Sequence, residues 1–188
     1  MMGQGKLDKD FYTRNTYAEN IKAAEYFLKM ATDHELGERW NLVAATAFCA
    51  FAIEAYLNHV GEISEGLEWS QWDKECHPKP RDKLIRLVGD KLNDNHEPFS
   101  EFGEIFELRN TIAHGASITV TKAVRKPQNN IKGALKNLSS EFESRTTFKK
   151  VNKLLNSSKS MIIMINKCTL KVSDHELWRI GYGSLKTS

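Results

Sequence analysis

Between Asn41 and Gly61 the chain carries a single acidic or basic residue, histidine aside: Glu54, set among Phe48, Phe51, Ile53, Ala55 and Leu57. No proline interrupts the run, so a long helix is expected from Arg39 to about Ile63, apolar nearly all round. A helix without a polar face has no side to turn to water and must be wrapped by other elements. The chain is therefore expected to be a helical bundle built around this segment. Glu54 then needs a cationic partner, because a carboxylate stays charged in apolar surroundings only when paired.

Helical spacing of apolar residues places the wrapping elements. Tyr17, Ile21, Ala24, Phe27, Leu28 and Ala31 predict a first helix from Thr13 to about Thr32. Glu62 to Lys79 reads as a connection, pinned to the core by Trp69 and Trp72. Pro78 and Pro80 precede a third helix from Arg81 to about Leu92, with Leu84, Ile85, Leu87 and Val88 on its apolar side. Asn93 to Glu97 is expected to turn. Pro98 suits the first turn of a fourth helix whose solvent side would carry Glu101, Glu104 and Glu107. Ser117 to Thr121 alternates and is β-branched, which favours a short extended segment, and a basic loop or hairpin follows, so that residues 116–140 form an insertion. A last long helix is expected from Phe142 or Thr146 to Leu170. The expectation is one all-α domain over residues 1–188, four to five main helices, with flexible tails at residues 1–10 and 180–188.

With 188 residues the chain is long enough for a real core. Its first ten residues are polar and charged, unlike a signal peptide, and no continuous run reaches the ~18 to 20 apolar residues of a bilayer span, so a cytoplasmic protein without membrane contact is expected. Cys49, Cys76 and Cys168 are too far apart for a zinc spacing. Neither a metal nor another cofactor is expected. Charge is unevenly distributed: residues 1–121 hold 13 lysines and arginines against 20 acids, whereas residues 122–171 hold 12 against 2. Such a block is either a polyanion-binding surface, with Lys122, Arg125, Lys126, Lys149, Lys150 and Lys153 as candidate RNA contacts, or a lysine-rich solvated helix face.

The fourth helix supplies the partner that Glu54 needs. On a helical wheel, Phe102, Ile105, Phe106, Ile112 and Ala113 fall on one face with Arg109 in their midst. A guanidinium there must meet an anion or line a cleft, and a fork between Arg109 and Glu54 would satisfy both groups. Asn110 and His114 lie one turn apart on the adjacent polar face.

The run Arg109-Asn110-x-x-x-His114 resembles the signature of the HEPN superfamily, an arginine followed four to six residues later by histidine, with asparagine directly after the arginine. Phe51-Ala52-Ile53-Glu54-Ala55-Tyr56-Leu57-Asn58 also resembles the second helix of several HEPN families, where a polar residue supports the motif. The resemblance implies a small all-α domain, a homodimer with a composite active site, and metal-independent cleavage of RNA. It further implies a toxin or defence role and an antitoxin or regulatory protein as a further partner. Ala116 stands where HEPN toxins paired with nucleotidyltransferase antitoxins carry a tyrosine, so control through that residue is not expected here.

The chemistry fits these residue types. Cleavage by the ribose 2′-hydroxyl needs a proton removed, charge on the phosphorane stabilised and the 5′ oxygen protonated; histidine serves for proton transfer near neutrality, and arginine offers a planar charged fork to phosphate. His114 is assigned acid/base catalysis, Arg109 the scissile phosphate, Asn110 orientation of the histidine or substrate, and Glu54 the positioning of Arg109. On one straight helix Arg109 and His114 diverge by about 140° and ~7.5 Å. Either the helix ends at Gly115 and frees the histidine, or two copies of the motif meet across a two-fold axis. The alternative functions are a non-catalytic HEPN-like module that dimerises or binds RNA or a nucleotide, and an unrelated helical domain in which both residues are structural.

Overall fold

The computed structural model describes residues 11–33, 37–89, 98–114 and 144–184. These are mostly helical: β1 (Phe11–Arg14), α1 (Thr16–Asp33), α2 (Glu38–Glu65), α3 (Leu67–Cys76), α4 (Pro80–Val88), a 3₁₀ turn at Phe99–Glu101, α5 (Phe102–His114), α6 (Phe148–Cys168), the single-turn α7 (Asp174–Leu177) and β2 (Gly181–Ser184). Residues 1–10, 34–36, 90–97, 115–143 and 185–188 lie outside the described residues, and with them the expected turn, the 116–140 insertion, Ala116, Lys122, Arg125 and Lys126.

The apolar run forms the axis of the bundle. α2 is in contact with α1, α3, α4, α5 and α6, its pairing with α1 being the most extensive. Ala45, Cys49, Ala52, Ile53, Tyr56, Leu57 and Val60 are fully buried along it. By length and composition alone α2 could cross a membrane, but the helices packed along it already cover much of its apolar surface. On its inner side α1 buries Tyr17, Ile21, Ala24, Leu28 and Ala31. α6 contributes Val151, Leu154, Leu155, Met161, Ile162 and Ile165 at the same three-and-four spacing.

Three departures from the sequence reading have physical causes. The connection after α2 is itself helical: α2 runs on to Glu65, and α3 begins after Gly66, whose φ of 59° and ψ of −122° lie where only glycine settles easily. α3 has little apolar periodicity because Trp69 alone is buried on it. The second correction concerns the chain ends, since residues 180–184 are not a loose tail. β2 pairs antiparallel with β1, Phe11 opposite Ser184 and Arg14 opposite Gly181, and Asn15 N–H donates to Ile180 O at 2.7 Å. Third, Glu101 does not face solvent: it is 7% exposed and accepts a bond from Lys153 of α6 at 2.6 Å.

A buried lysine ties the α2–α3–α4 corner together. Lys83 Nζ meets Asn58 Oδ1 at 2.7 Å and Asp73 Oδ1 at 2.6 Å, so this lysine is charge-paired where it leaves water. Beside it Arg86 is bonded to Glu65 and lies 4.4 Å over the Trp72 ring, a cation–π geometry.

The ion pairs across the bundle give it an acid limit. Burial alone would raise the pKa of Glu101, but the hydrogen bond from Lys153, with that from Ser100, outweighs it and holds the carboxyl below its ordinary value of 4.5. Glu25 is lowered in the same way, burial being outweighed by Lys159 and Lys22. A carboxyl whose pKa is depressed by folding adds stability above its unfolded pKa and loses it as pH falls through the folded value. Urea midpoints are therefore expected to fall as pH drops below about 4.5, less steeply in Glu101→Gln than in wild type. An equal acid slope in both would show that this pair does not set the limit.

Candidate functional site

α5 carries Arg109, Asn110 and His114, and it changes character along its length. Its first two turns bury Phe102, Ile105, Phe106 and Leu108 against the core; further on Ile112 is half-buried and Ala113 and His114 are exposed. The apolar face therefore does not continue through Ala113, as the wheel had suggested, and Arg109 sits at the margin of the core rather than in its midst. α5 is helical through His114, so within one chain the arginine and the histidine point apart.

Arg109 and Glu54 are paired. Arg109 Nη2 donates to Glu54 Oε2 at 2.5 Å and Nη1 to Asn110 Oδ1 at 3.0 Å, while the Arg109 and Glu54 side chains keep 23% and 30% of their surface exposed. The guanidinium carbon lies 6.0 Å from the centre of the Phe106 ring. Nε is buried and has no hydrogen-bond partner. Two contacts thus fix the plane of the guanidinium, and the Arg109 side chain remains partly exposed. Asn110 bonds the arginine here, so its amide oxygen is committed to that side rather than to His114. Cys49 is fully buried in the same helix as Glu54, and burial raises its thiol pKa to about 12, which makes it an inert core residue.

The candidate RNA contacts divide. Lys149, Lys150 and Lys153 are exposed on the first turns of α6 and line one groove of about 800 Å³ together with Asn152, Asn156 and Ser157. Neither Arg109 nor His114 lines it. Part of this positive charge is already answered within the chain: Lys153 by Glu101 at 2.6 Å and, more loosely, Lys150 by Glu104 at 3.7 Å. Arg145, which sequence reasoning passed over, bonds Glu107 at 2.7 Å and approaches Glu104 at 3.7 Å. The excess of acids in the first part of the chain and the excess of bases in the last third could have signalled such pairing. Arg145 lowers the pKa of Glu107 by its hydrogen bond and its charge.

A stripe of α2 approaches the pair from the other side. Trp40, Ala44, Ala47 and Phe51 recur at four, three and four residues and lead to Glu54 three residues further on, which places them on one face. Trp40 is 71% exposed and Phe51 41%. Phe51 also packs edge-on against Phe48 at 6.0 Å, and Phe48 stacks on Phe27 at 5.5 Å. Two large apolar side chains left exposed on one helix face are candidates for contact with a partner. No family model matches the sequence, and no curated protein or solved structure is similar to it.

Proposed function

We propose that this protein is a cytoplasmic, metal-independent endoribonuclease of the HEPN type, acting as a homodimer whose active sites combine residues of both copies. The observation that carries this reading is the anchored guanidinium: Arg109 is oriented by Glu54 and Asn110, is partly exposed, and precedes an exposed His114 by five residues on the same helix. Arg109 then holds the scissile phosphate, His114 transfers the proton and Glu54 positions the arginine. The divergence of Arg109 and His114 within one chain favours a site completed across a two-fold axis. The exposed Trp40–Phe51 stripe beside Glu54 is the surface such an axis would bury. A toxin or defence role, with an antitoxin as its regulator, extends the same reading.

The test is incubation of single-stranded RNA with the purified protein in EDTA. Cleavage that survives chelation supports the nuclease. Intact RNA, bound in a salt-sensitive manner, supports instead a non-catalytic RNA-binding module, a second reading that the lysine groove on α6 favours. The dimer has its own test. Phe51→Glu is expected to convert the protein from dimer to monomer in light scattering while leaving the helical circular dichroism unchanged, because burying an unpaired carboxylate costs several kcal/mol or more. A wild-type monomer, or a dimer indifferent to this change, would remove the two-fold site.

A further inference from the structure

Two residues after Glu54, Tyr56 leaves α2 about 200° further round the helix, so it faces away from Arg109. It is fully buried and sits edge-on to Tyr17 at 4.8 Å, and its hydroxyl has no hydrogen-bond partner. Asn15, 4% exposed, is in the same condition at one atom. Its Nδ2 donates to Arg179 O at 2.7 Å, whereas its Oδ1 is buried and accepts nothing. Both residues line a cavity of about 360 Å³, walled by Tyr17, His59, Ile63, Leu170 and Val172 and rimmed by Glu176 and Arg179.

Leaving a buried polar group unsatisfied is costly, and folded proteins rarely do so without a reason. Two residues carrying such atoms in the lining of one concave, mixed aromatic and aliphatic cavity are what a small-molecule site presents. Their chemistry is complementary: Asn15 Oδ1 can only accept, so the ligand must bring an N–H, while the Tyr56 hydroxyl can donate to an acceptor beside it. A cis-amide edge carries both groups side by side. The ring centres of Tyr17 and His59 lie 5.2 Å apart, an aromatic wall suited to a planar body. Burial lowers the pKa of His59, which favours its uncharged form, and the rim carries one acid and one base, Glu176 and Arg179, so the lining has no net charge to select a charged ligand.

We propose that this cavity binds a small, neutral, planar ring bearing a lactam N–H–C=O edge, held by Asn15 and Tyr56. The site is separate from Arg109 and His114, and its test involves no RNA. The full chain is titrated by calorimetry with 2-pyridone, uracil and hypoxanthine, and its thermal midpoint is followed at millimolar ligand. At least one lactam is expected to bind saturably and raise the midpoint, whereas 1,3-dimethyluracil, which lacks the N–H, does neither. Tyr56→Phe, which keeps the buried ring and removes the unsatisfied hydroxyl, is expected to leave the ligand-free midpoint no lower and to bind at least about tenfold more weakly. The proposal is overturned if no lactam binds saturably, or if the dimethyl compound or the phenylalanine variant binds as well as the pair it is compared with. It also falls if Tyr56→Phe lowers the midpoint of a wild type that binds nothing, the result expected of an ordered water only.

Discussion

Arg109→Ala is expected to slow RNA cleavage roughly 100- to 1,000-fold, the usual loss when one preorganised donor to a developing oxyanion is removed, and His114→Ala roughly 100- to 10,000-fold, the usual worth of a positioned acid or base. Neither loss should come from unfolding. The Arg109–Glu54 pair is partly exposed at both ends, so breaking it costs about 1–2 kcal/mol of stability after screening, and His114 is exposed at the helix end. Mixing the two inactive variants separates the arrangements. If each site takes its arginine from one copy and its histidine from the other, a heterodimer of Arg109→Ala with His114→Ala keeps one intact site. A statistical mixture then regains about a quarter of wild-type activity. Sites formed within one chain regain none.

Gly61→Ala is expected to destabilise the fold by about 3 kcal/mol, although alanine in a helix ordinarily gains about 1 kcal/mol over glycine. Gly61 lies inside α2 where α3 crosses it. A Cβ there would stand 2.1 Å from two atoms of the Trp69 ring and 2.5 Å from a third. Trp69 cannot step aside, being 1% exposed, 5.1 Å from the Trp72 ring and under Arg86 at 5.9 Å. For a domain of this size the midpoint should fall by roughly 6–12 °C. Trp69→Leu should relieve part of the loss in the double variant, a coupling that a double-mutant cycle reads directly. A Gly61→Ala protein as stable as wild type would mean that α3 does not rest on α2 at this point.

What was legible in the chain follows from how strongly each segment is constrained by burial. A run that must be wrapped on nearly every side, Asn41 to Gly61, announces the central helix, and its single acid announces the need for a cation. Arg109 answered that need because a guanidinium next to Ile105, Phe106 and Leu108 has few other solutions. α1 and α6 were readable for the same reason: each buries one stripe at helical spacing. α3 was not, because it is held by one buried tryptophan while Leu67 is 88% exposed, leaving no periodicity to find. The β1–β2 clasp joins residues about 170 positions apart, and alternation over four residues at each end is too short to stand out. One local signal was present and unread: Ser173-x-x-Glu176 is a capping box, with Glu176 N–H donating to Ser173 Oγ at 3.4 Å and Ser173 N–H to Glu176 Oε2 at 3.1 Å. It starts α7, whose Leu177 is fully buried.

The charge imbalance hints at pairing of the α6 lysines, but helical spacing within α6 says nothing of which acids face it, Glu101 on the 3₁₀ turn and Glu104 on α5. That pairing changes what the basic third of the chain can do. Lys150 and Lys153 must exchange Glu104 and Glu101 for phosphate, whereas the described contacts pair Lys149 with no acid.

The measurement that bears most directly on the account is the chemistry of the ends left on RNA incubated with wild-type protein in EDTA. Attack by the ribose 2′-hydroxyl, with His114 moving the proton and Arg109 on the phosphate, leaves 2′,3′-cyclic phosphates, and these should disappear in both alanine variants. Fragments ending in a 3′-hydroxyl, cyclic ends that persist in either variant, or RNA left intact by the wild type would contradict it.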